Sequence, residues 1–231
     1  MVIAGKKDKI SVVLPCRDEE EALGECISTI KKVLDGKEYE IIVSSSSSDG
    51  SDEIARNNGV KLVRCGKGYG NAYLEGFKHV SGEVVVMGDA DSSYDFSQIP
   101  LFLEKLRNGT DFVIGNRLGG RIEKGAMKPL HRYIGNPGLT LLFNLIYRTH
   151  FSDTHSGFRA IKAEKLDKLK GEGLESGGME FALEMLIKSA KSGINVGEVK
   201  VSYRKRRGKS KLRSFKDGVR HIKMMVRNTI F

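Results

Sequence analysis

An apolar run, Val84-Val85-Val86-Met87, ends abruptly in Gly88-Asp89-Ala90-Asp91. A short β-branched run bounded by turn residues reads as a buried strand. Its two carboxylates then fall where the chain leaves the sheet, which is where ligands sit in open α/β sheets. Two such charges 4 Å apart repel by ~4 kcal/mol at an effective dielectric of 20. A divalent cation carrying a phosphorylated substrate would offset that repulsion. An acidic loop that caps the next helix is the other reading.

The first half of the chain alternates strand and helix. Residues 10–14 read as a strand stopped by Pro15, with further strands over residues 39–43, 60–63 and 111–114. After Arg17-Asp18-Glu19-Glu20-Glu21, apolar Leu23, Ile27, Ile30 and Val33 recur at helical spacing, and the acids suit the positive end of that helix. Further helices are predicted over residues 52–58, 71–79 and 99–106. Five serines, residues 44–48, run into Asp49-Gly50-Ser51 and read as a strand-to-helix turn rather than a linker. Gly66-Lys67-Gly68-Tyr69-Gly70 opens a helix; its glycines permit either close backbone approach to a ligand or simply a tight turn. The alternation implies a mostly parallel sheet with helices on both faces.

The second half changes character. Residues 116–121 read as a basic, glycine-broken loop. Leu139 to Tyr147 is an apolar stretch, too short to cross a bilayer; it reads as a buried core helix or, alternatively, as a helix lying against a membrane. His150, Asp153 and His155 lie in a turn-rich segment whose spacing fits no helical metal pair, so hydrogen-bonding roles are expected of them. An amphipathic helix over residues 179–189 and a strand over residues 194–201 come next. Residues 203–211 are dense in cations, and a basic helix over residues 215–226 closes the pattern.

The formal charge of +10 over 231 residues points to a polyanionic partner, whether nucleotide phosphates, a lipid phosphate, an anionic membrane surface or nucleic acid. No recognised nucleic-acid motif accompanies the charge. Cys16, Cys26 and Cys65 show no paired metal spacing and read as reduced thiols of a cytosolic protein. No apolar run approaches the ~20 residues of a membrane-spanning helix, and the N-terminus lacks a signal-peptide core.

Five motifs occur in one order: residues 14–21 (LPCRDEEE), Asp49-Gly50-Ser51, Gly88-Asp89-Ala90-Asp91, Ser156-Gly157-Phe158-Arg159 and residues 208–212 (GKSKL). Together they resemble the family 2 glycosyltransferases, in the branch of polyprenyl-phosphate sugar transferases that includes dolichol-phosphate mannose synthase. The resemblance covers roughly residues 9–225. It implies an α/β protein of the GT-A fold, with a catalytic domain over residues 1–212 and a basic amphipathic helix over residues 213–231, juxtamembrane in position. It implies transfer of a hexose, with inversion, from a UDP- or GDP-linked donor to a polyprenyl or dolichyl phosphate, at the cytoplasmic face of the membrane.

By the same likeness, Pro15, Arg17, Glu19, Ser45, Lys67, Asp89, Ala90, Arg206 and Lys211 bind the donor, and Asp89 and Asp91 hold Mg²⁺ or Mn²⁺ against its diphosphate. Asp91 is expected to be the closer metal ligand, with Asp89 leaning toward the ribose. Arg117 and Arg132 are assigned to the acceptor phosphate, for which a guanidinium fork is suited. Asp153 is the carboxylate expected to orient the acceptor or stabilise positive charge at the sugar carbon.

Two departures stand out. Relatives carry an acid just after the second strand, against the base or ribose; Ser44 and Ser45 stand there in this chain. Many relatives also continue into transmembrane helices after the basic helix, so the chain is either a peripherally bound form or cut before its anchor. Transfer to a soluble or glycan acceptor, and a degenerate nucleotide-sugar-binding protein without catalysis, remain as alternative readings.

Overall fold

The computed structural model describes residues 9–208 and 214–228. Its centre is a seven-stranded sheet: β1 (Ile10–Cys16), β2 (Tyr39–Ser45), β3 (Lys61–Arg64), β4 (Val84–Met87), β5 (Phe112–Ile122), β6 (Arg159–Lys162) and β7 (Val196–Tyr203). They lie in the order β3-β2-β1-β4-β6-β5-β7. All pairings are parallel except those of β6, which runs against both β4 and β5. The helices are α1 (Leu23–Val33), α2 (Ser51–Asn57), α3 (Tyr69–Phe77), α4 (Ile99–Arg107), α5 (Asn136–Tyr147), α6 (Ala163–Gly171), α7 (Phe181–Lys191) and α8 (Ser214–Arg227).

Helices cover both faces, as the alternation implied. The strands are buried on both sides, so alternate residues feed two cores. Val12, Leu14, Val43 and Val86 meet α1, α2 and α4 on one face; Val13, Ile42, Val85 and Met87 meet α3, α6 and α7 on the other. From β1 the chain steps outward to β2 and β3, then returns to place β4 on the opposite side of β1. The carboxyl ends of β1 and β4 therefore bound the crevice at the topological switch point.

Four sequence expectations change. Pro15 does not stop β1, which continues to Cys16 in register with β2. The Cys16 carbonyl accepts from Ser46 on the β2 side, so the proton-less Pro15 nitrogen faces β4, whose pairing with β1 has ended at Met87. Residues 116–121 are strand rather than loop: β5 runs on to Ile122, with a register shift against β7 between Asn116 and Arg121. A Cβ on Gly120 would lie 2.0 Å from the Val201 carbonyl oxygen, so glycine lets β7 close on this irregularity. The Ser156-Gly157-Phe158-Arg159 motif leads into β6 and α6, which lack a distinct apolar period and were not foreseen.

The fourth change concerns the apolar stretch. Only Thr140 and Phe143 of α5 are buried, while Leu141 and Leu145 are 60% and 71% exposed. A buried core helix is therefore the wrong description, because α5 packs on one side only. A π-helical turn, His131–Gly135, precedes it and leaves Tyr133 and Ile134 exposed as well. Next to α5, α8 buries His221 and Met225 and turns Val219, Ile222 and Val226 outward.

Candidate active site

The site is assembled at the carboxyl ends of β1, β2 and β4. Asp89 and Asp91 follow β4 directly, and their order in the chain fixes opposite surroundings. The Asp89 Oδ1 accepts from the Tyr69 hydroxyl at 3.0 Å. Burial, and then repulsion from Asp91, push the Asp89 carboxyl up to about 7. Asp91 keeps its place through its own turn: Oδ1 accepts from the Ser93 amide at 2.9 Å, with Ser92 left-handed at φ +63°. Ala90 between them is buried.

Arg206 enters from the segment after β7. Its guanidinium lies 3.3 Å from Asp91 Oδ2 and 3.0 Å from Glu19 Oε1. The backbone around it is sewn down: Arg204 N donates to Ser93 O and Arg207 N to Asp91 O. Arg204 pairs with Asp95 and Arg207 with Glu25. Glu19 is itself held, because its amide donates to the buried Ser51 hydroxyl. A guanidinium thus stands against the Glu19 and Asp91 carboxylates. Among the described residues no cluster of three or more His, Cys, Asp or Glu forms a metal cage. Two carboxylates nonetheless fit Mg²⁺ or Mn²⁺, since such ions take one or two from protein and the rest from substrate phosphate and water.

On the other side lies Arg117, from β5. Its Nε and Nη2 donate to Asp153 Oδ2 and Oδ1 at 2.7 and 2.8 Å, and its amide also donates to Oδ2. Asp153 is fully buried. Burial would raise its pKa, but the paired guanidinium overrides this and holds the carboxyl below its usual range. Glu198 accepts from the amides of Ser152 and Asp153 and anchors the loop. Arg117 also stacks 5.2 Å from the Tyr203 ring centre. It is close enough to Asp89 to oppose that group's raised pKa.

The expected site residues sort accordingly. Glu19, Asp89, Asp91 and Arg206 come together, with Arg117 beside them. Pro15 lines the end of β1 half-buried, whereas Arg17 and Lys67 point to solvent. The glycines of residues 66–70 serve packing: Gly70 N and Asn71 N donate to the carbonyls of Gly178 and Gly177, and a Cβ on Gly70 would sit 1.8 Å from Ser176 O. Ser45 is fully buried beneath the rim. Asp153, expected to orient the acceptor or steady charge at the sugar carbon, is buried with both oxygens on Arg117. Arg132 sits in the π-helical turn over the neighbouring Tyr133 ring; the member of that turn that reaches the influence of Arg117 is His131. Burial, Lys128 and Arg117 together lower its pKa. Lys211 lies outside the described residues. Tyr69, Tyr203 and His131 stand beside the expected residues; of these only Tyr69 has a sequence signal, its place in the glycine-rich opening of α3.

The model of the family described as "Glycosyl transferase family 2" matches residues 11–170. Among curated proteins, the low-salt glycan biosynthesis hexosyltransferase Agl6 of Haloferax volcanii is 40% identical over 95% of this chain and 53% of its own length. The dolichyl-phosphate hexose transferase of the same organism is 33% identical over 95% of this chain and 93% of its length. The dolichol-phosphate mannosyltransferase of Pyrococcus furiosus is 33% identical over 93% and 62%. The chain thus spans about half the length of the first relative. Among solved structures, glucosyl-3-phosphoglycerate synthase from Mycobacterium tuberculosis, in complex with Mn²⁺, UDP-glucose and phosphoglyceric acid, superimposes with a TM-score of 0.74 at 20% identity. That match covers 96% of this chain and 80% of the other, a likeness of fold.

Proposed function

The chain belongs to glycosyl transferase family 2, and from that premise we propose that it moves a hexose from a UDP- or GDP-linked donor to a polyprenyl phosphate, with inversion. Its fold is the GT-A fold expected from the sequence. The observation that carries the reading is the Asp89-Asp91 pair at the end of β4 with the Arg206 guanidinium 3.3 Å from Asp91, since paired carboxylates for a cation and an arginine for phosphate are what a diphosphate donor needs; Arg117 lies near enough to act on the Asp89 charge.

The acceptor phosphate oxygen attacks the anomeric carbon from the face opposite the nucleoside diphosphate, whose bond to that carbon breaks. An acceptor that is already an anion needs no general base. Asp91, with Asp89 behind it, would hold Mg²⁺ or Mn²⁺, which neutralises charge on the departing diphosphate. Arg206 supplies a second positive group on the same side. Arg117, fixed in direction by Asp153, receives the acceptor phosphate, and Arg132 and His131 flank its approach.

The exposed apolar residues of α5 and α8, among Lys128, Arg132, Arg148, Arg220, Lys223 and Arg227, form a surface suited to an anionic bilayer. Among the described residues no helix is long and apolar enough to cross a membrane. The surface supports peripheral work at the cytoplasmic face, where a lipid phosphate comes to the site from the membrane.

A donor screen tests the reading: UDP- and GDP-sugars with Mg²⁺ or Mn²⁺, followed as radiolabel entering an organic-extractable lipid. Label in lipid, abolished by Asp91→Asn, is the expected result. Undiminished transfer by that variant would sink the metal assignment, and label passing only to a water-soluble acceptor would overturn the lipid acceptor.

A further inference from the structure

Four buried or half-buried side chains have no part in the transfer derived above: Thr140 on α5, Thr154 and His155 in the loop between α5 and β6, and His221 on α8. They stand in one row. The Thr140 and Thr154 hydroxyl oxygens are 3.0 Å apart, Thr154 Oγ1 lies 2.9 Å from His155 Nδ1, and His155 Nε2 lies 3.2 Å from His221 Nδ1. The Thr154 amide also donates to Thr140 Oγ1 at 3.3 Å. Each link needs one donor and one acceptor, which hydroxyls and neutral imidazoles supply in either direction along the row.

The row adjoins the carboxylate that directs Arg117. The His155 amide donates to Asp153 Oδ1 at 3.3 Å, the oxygen that also receives Arg117 Nη2. Other anchors fix the loop to the sheet: Glu198 of β7 takes the amides of Ser152 and Asp153, and Arg159 of β6 donates to the carbonyls of Thr154 and Ser156. The row ties the loop instead to the two helices that carry the exposed apolar residues. Thr140 precedes Leu141 and His221 precedes Ile222, which are 60% and 44% exposed. Buried Met225 seats α8 on the body, and the Tyr147 hydroxyl donates to the Met225 carbonyl at 3.1 Å.

We propose that His221 is a positioning residue for Arg117, acting through His155 and Asp153, so that α8 completes the acceptor site besides facing the bilayer. The proposal rests on the assignment of Arg117 to the acceptor phosphate. A seated α8 holds the His155 ring, and with it the amide that bonds to Asp153, in the place where that carboxylate receives the guanidinium on both oxygens. A guanidinium that binds phosphate through two parallel bonds is sensitive to its direction. When His221 cannot bond, the loop opens locally more often, and Arg117 loses its aim. Glu19, Asp91 and Arg206 are held by contacts outside the row, so the donor side is unaffected.

Hydrogen exchange of the Arg117 Nε–H, followed by NMR in the ¹⁵N-labelled full chain and identified by its loss in Arg117→Lys, reads the positioning without reference to catalysis. His221→Leu is expected to speed that exchange about five- to tenfold, roughly what one hydrogen bond contributes, with the backbone amides of β1 and β4 unchanged. His221→Asn, whose side-chain amide stands where Nδ1 does, is expected to restore it. His155→Phe breaks the same link from the other side and is expected to match His221→Leu. With a short, water-soluble isoprenyl phosphate and no vesicles, His221→Leu is expected to raise the acceptor KM about five- to tenfold while kcat and the donor KM stay within about twofold. Unchanged Arg117 exchange in both His221→Leu and His155→Phe overturns the proposal, as does exchange that quickens equally throughout the sheet. Faster exchange at Arg117 with an unchanged acceptor KM upholds the positioning and overturns the acceptor role of Arg117 beneath it. Absence of transfer by wild type overturns the polyprenyl-phosphate reading itself.

Discussion

Arg117 grips both oxygens of Asp153, at 2.7 and 2.8 Å, and Asp153 itself is fully buried. Asp153→Ala leaves a buried guanidinium without its partner and is expected to cost about 3–5 kcal/mol in urea denaturation. Arg117→Met with Asp153→Leu removes both charges and is expected to cost far less, yet to abolish transfer. Because pairing depresses the Asp153 pKa, its contribution is present above the unfolded value near pH 4 and is lost as pH falls through the folded one. A double variant as unstable as Asp153→Ala would count against the pairing as the origin of the loss.

With Arg206 lying 3.3 Å from Asp91, a divalent cation at the proposed metal site is expected to compete with it for that carboxylate. In Arg206→Gln, Mn²⁺ is expected to bind about tenfold more tightly without nucleotide, since the guanidinium no longer occupies Asp91 and Glu19. UDP in the presence of Mn²⁺ is expected to bind about tenfold more weakly, for lack of a cation on the diphosphate. Electron paramagnetic resonance titration of free Mn²⁺ reads the first and calorimetry the second. Opposite signs in the two measurements are the signature; a weakening of both would argue that Arg206 merely holds the site in shape.

His155 Nε2 and His221 Nδ1 are 3.2 Å apart, joining the loop after Asp153 to α8. Burial, then His221, lower the His155 pKa to about 3, with Arg117 and Arg159 acting the same way and Asp153 opposing them. Below pH 6.5 the unfolded chain takes up a proton that the folded one refuses. Stability from this group is therefore full above pH 6.5 and falls as pH drops toward 3, with a limiting slope of about 1.4 kcal/mol per pH unit. His155→Gln is expected to flatten the fall in urea midpoint between pH 6.5 and 4.5. A slope identical to wild type would refute it.

The α5 surface is expected to hold anionic vesicles. Leu141→Asp and Leu145→Asp place charges at two exposed positions, so folding is expected to stay within about 0.5 kcal/mol of wild type. Sedimentation with vesicles containing anionic lipid is expected to fall about tenfold or more for each change, because an inserted leucine contributes about 1.5–3 kcal/mol. Retention of full vesicle binding by the double variant would exclude this face.

Local pattern was enough to read most of the sheet. The β-branched runs that became β1, β2 and β4 and the spaced apolar residues of α1 and α4 carry strong periods, and Asp89-Ala90-Asp91 stands out because two acids end an apolar run. Where local signals fail, a distant segment is responsible. Residues 116–121 look like a loop until β7 arrives to pair with them, and Gly120 is what lets it close. The glycines of residues 66–70 look ready for a ligand, but the backbone of residues 176–178 fills the space.

The amino-acid sequence by itself determined the α/β alternation, the basic character and the paired carboxylates at a strand end, because each is written within a few consecutive residues. Which partner each charge meets was decided by the tertiary structure alone. Arg206 reaches Glu19 across 187 positions and Arg117 reaches Asp153 across 36. The acid that Ser45 lacks comes back as Asp52 when α2 folds against the end of β2. Even the outward leucines of α5 follow from three dimensions, since an apolar helix is buried or exposed according to how many neighbours pack around it, and α5 has them on one side.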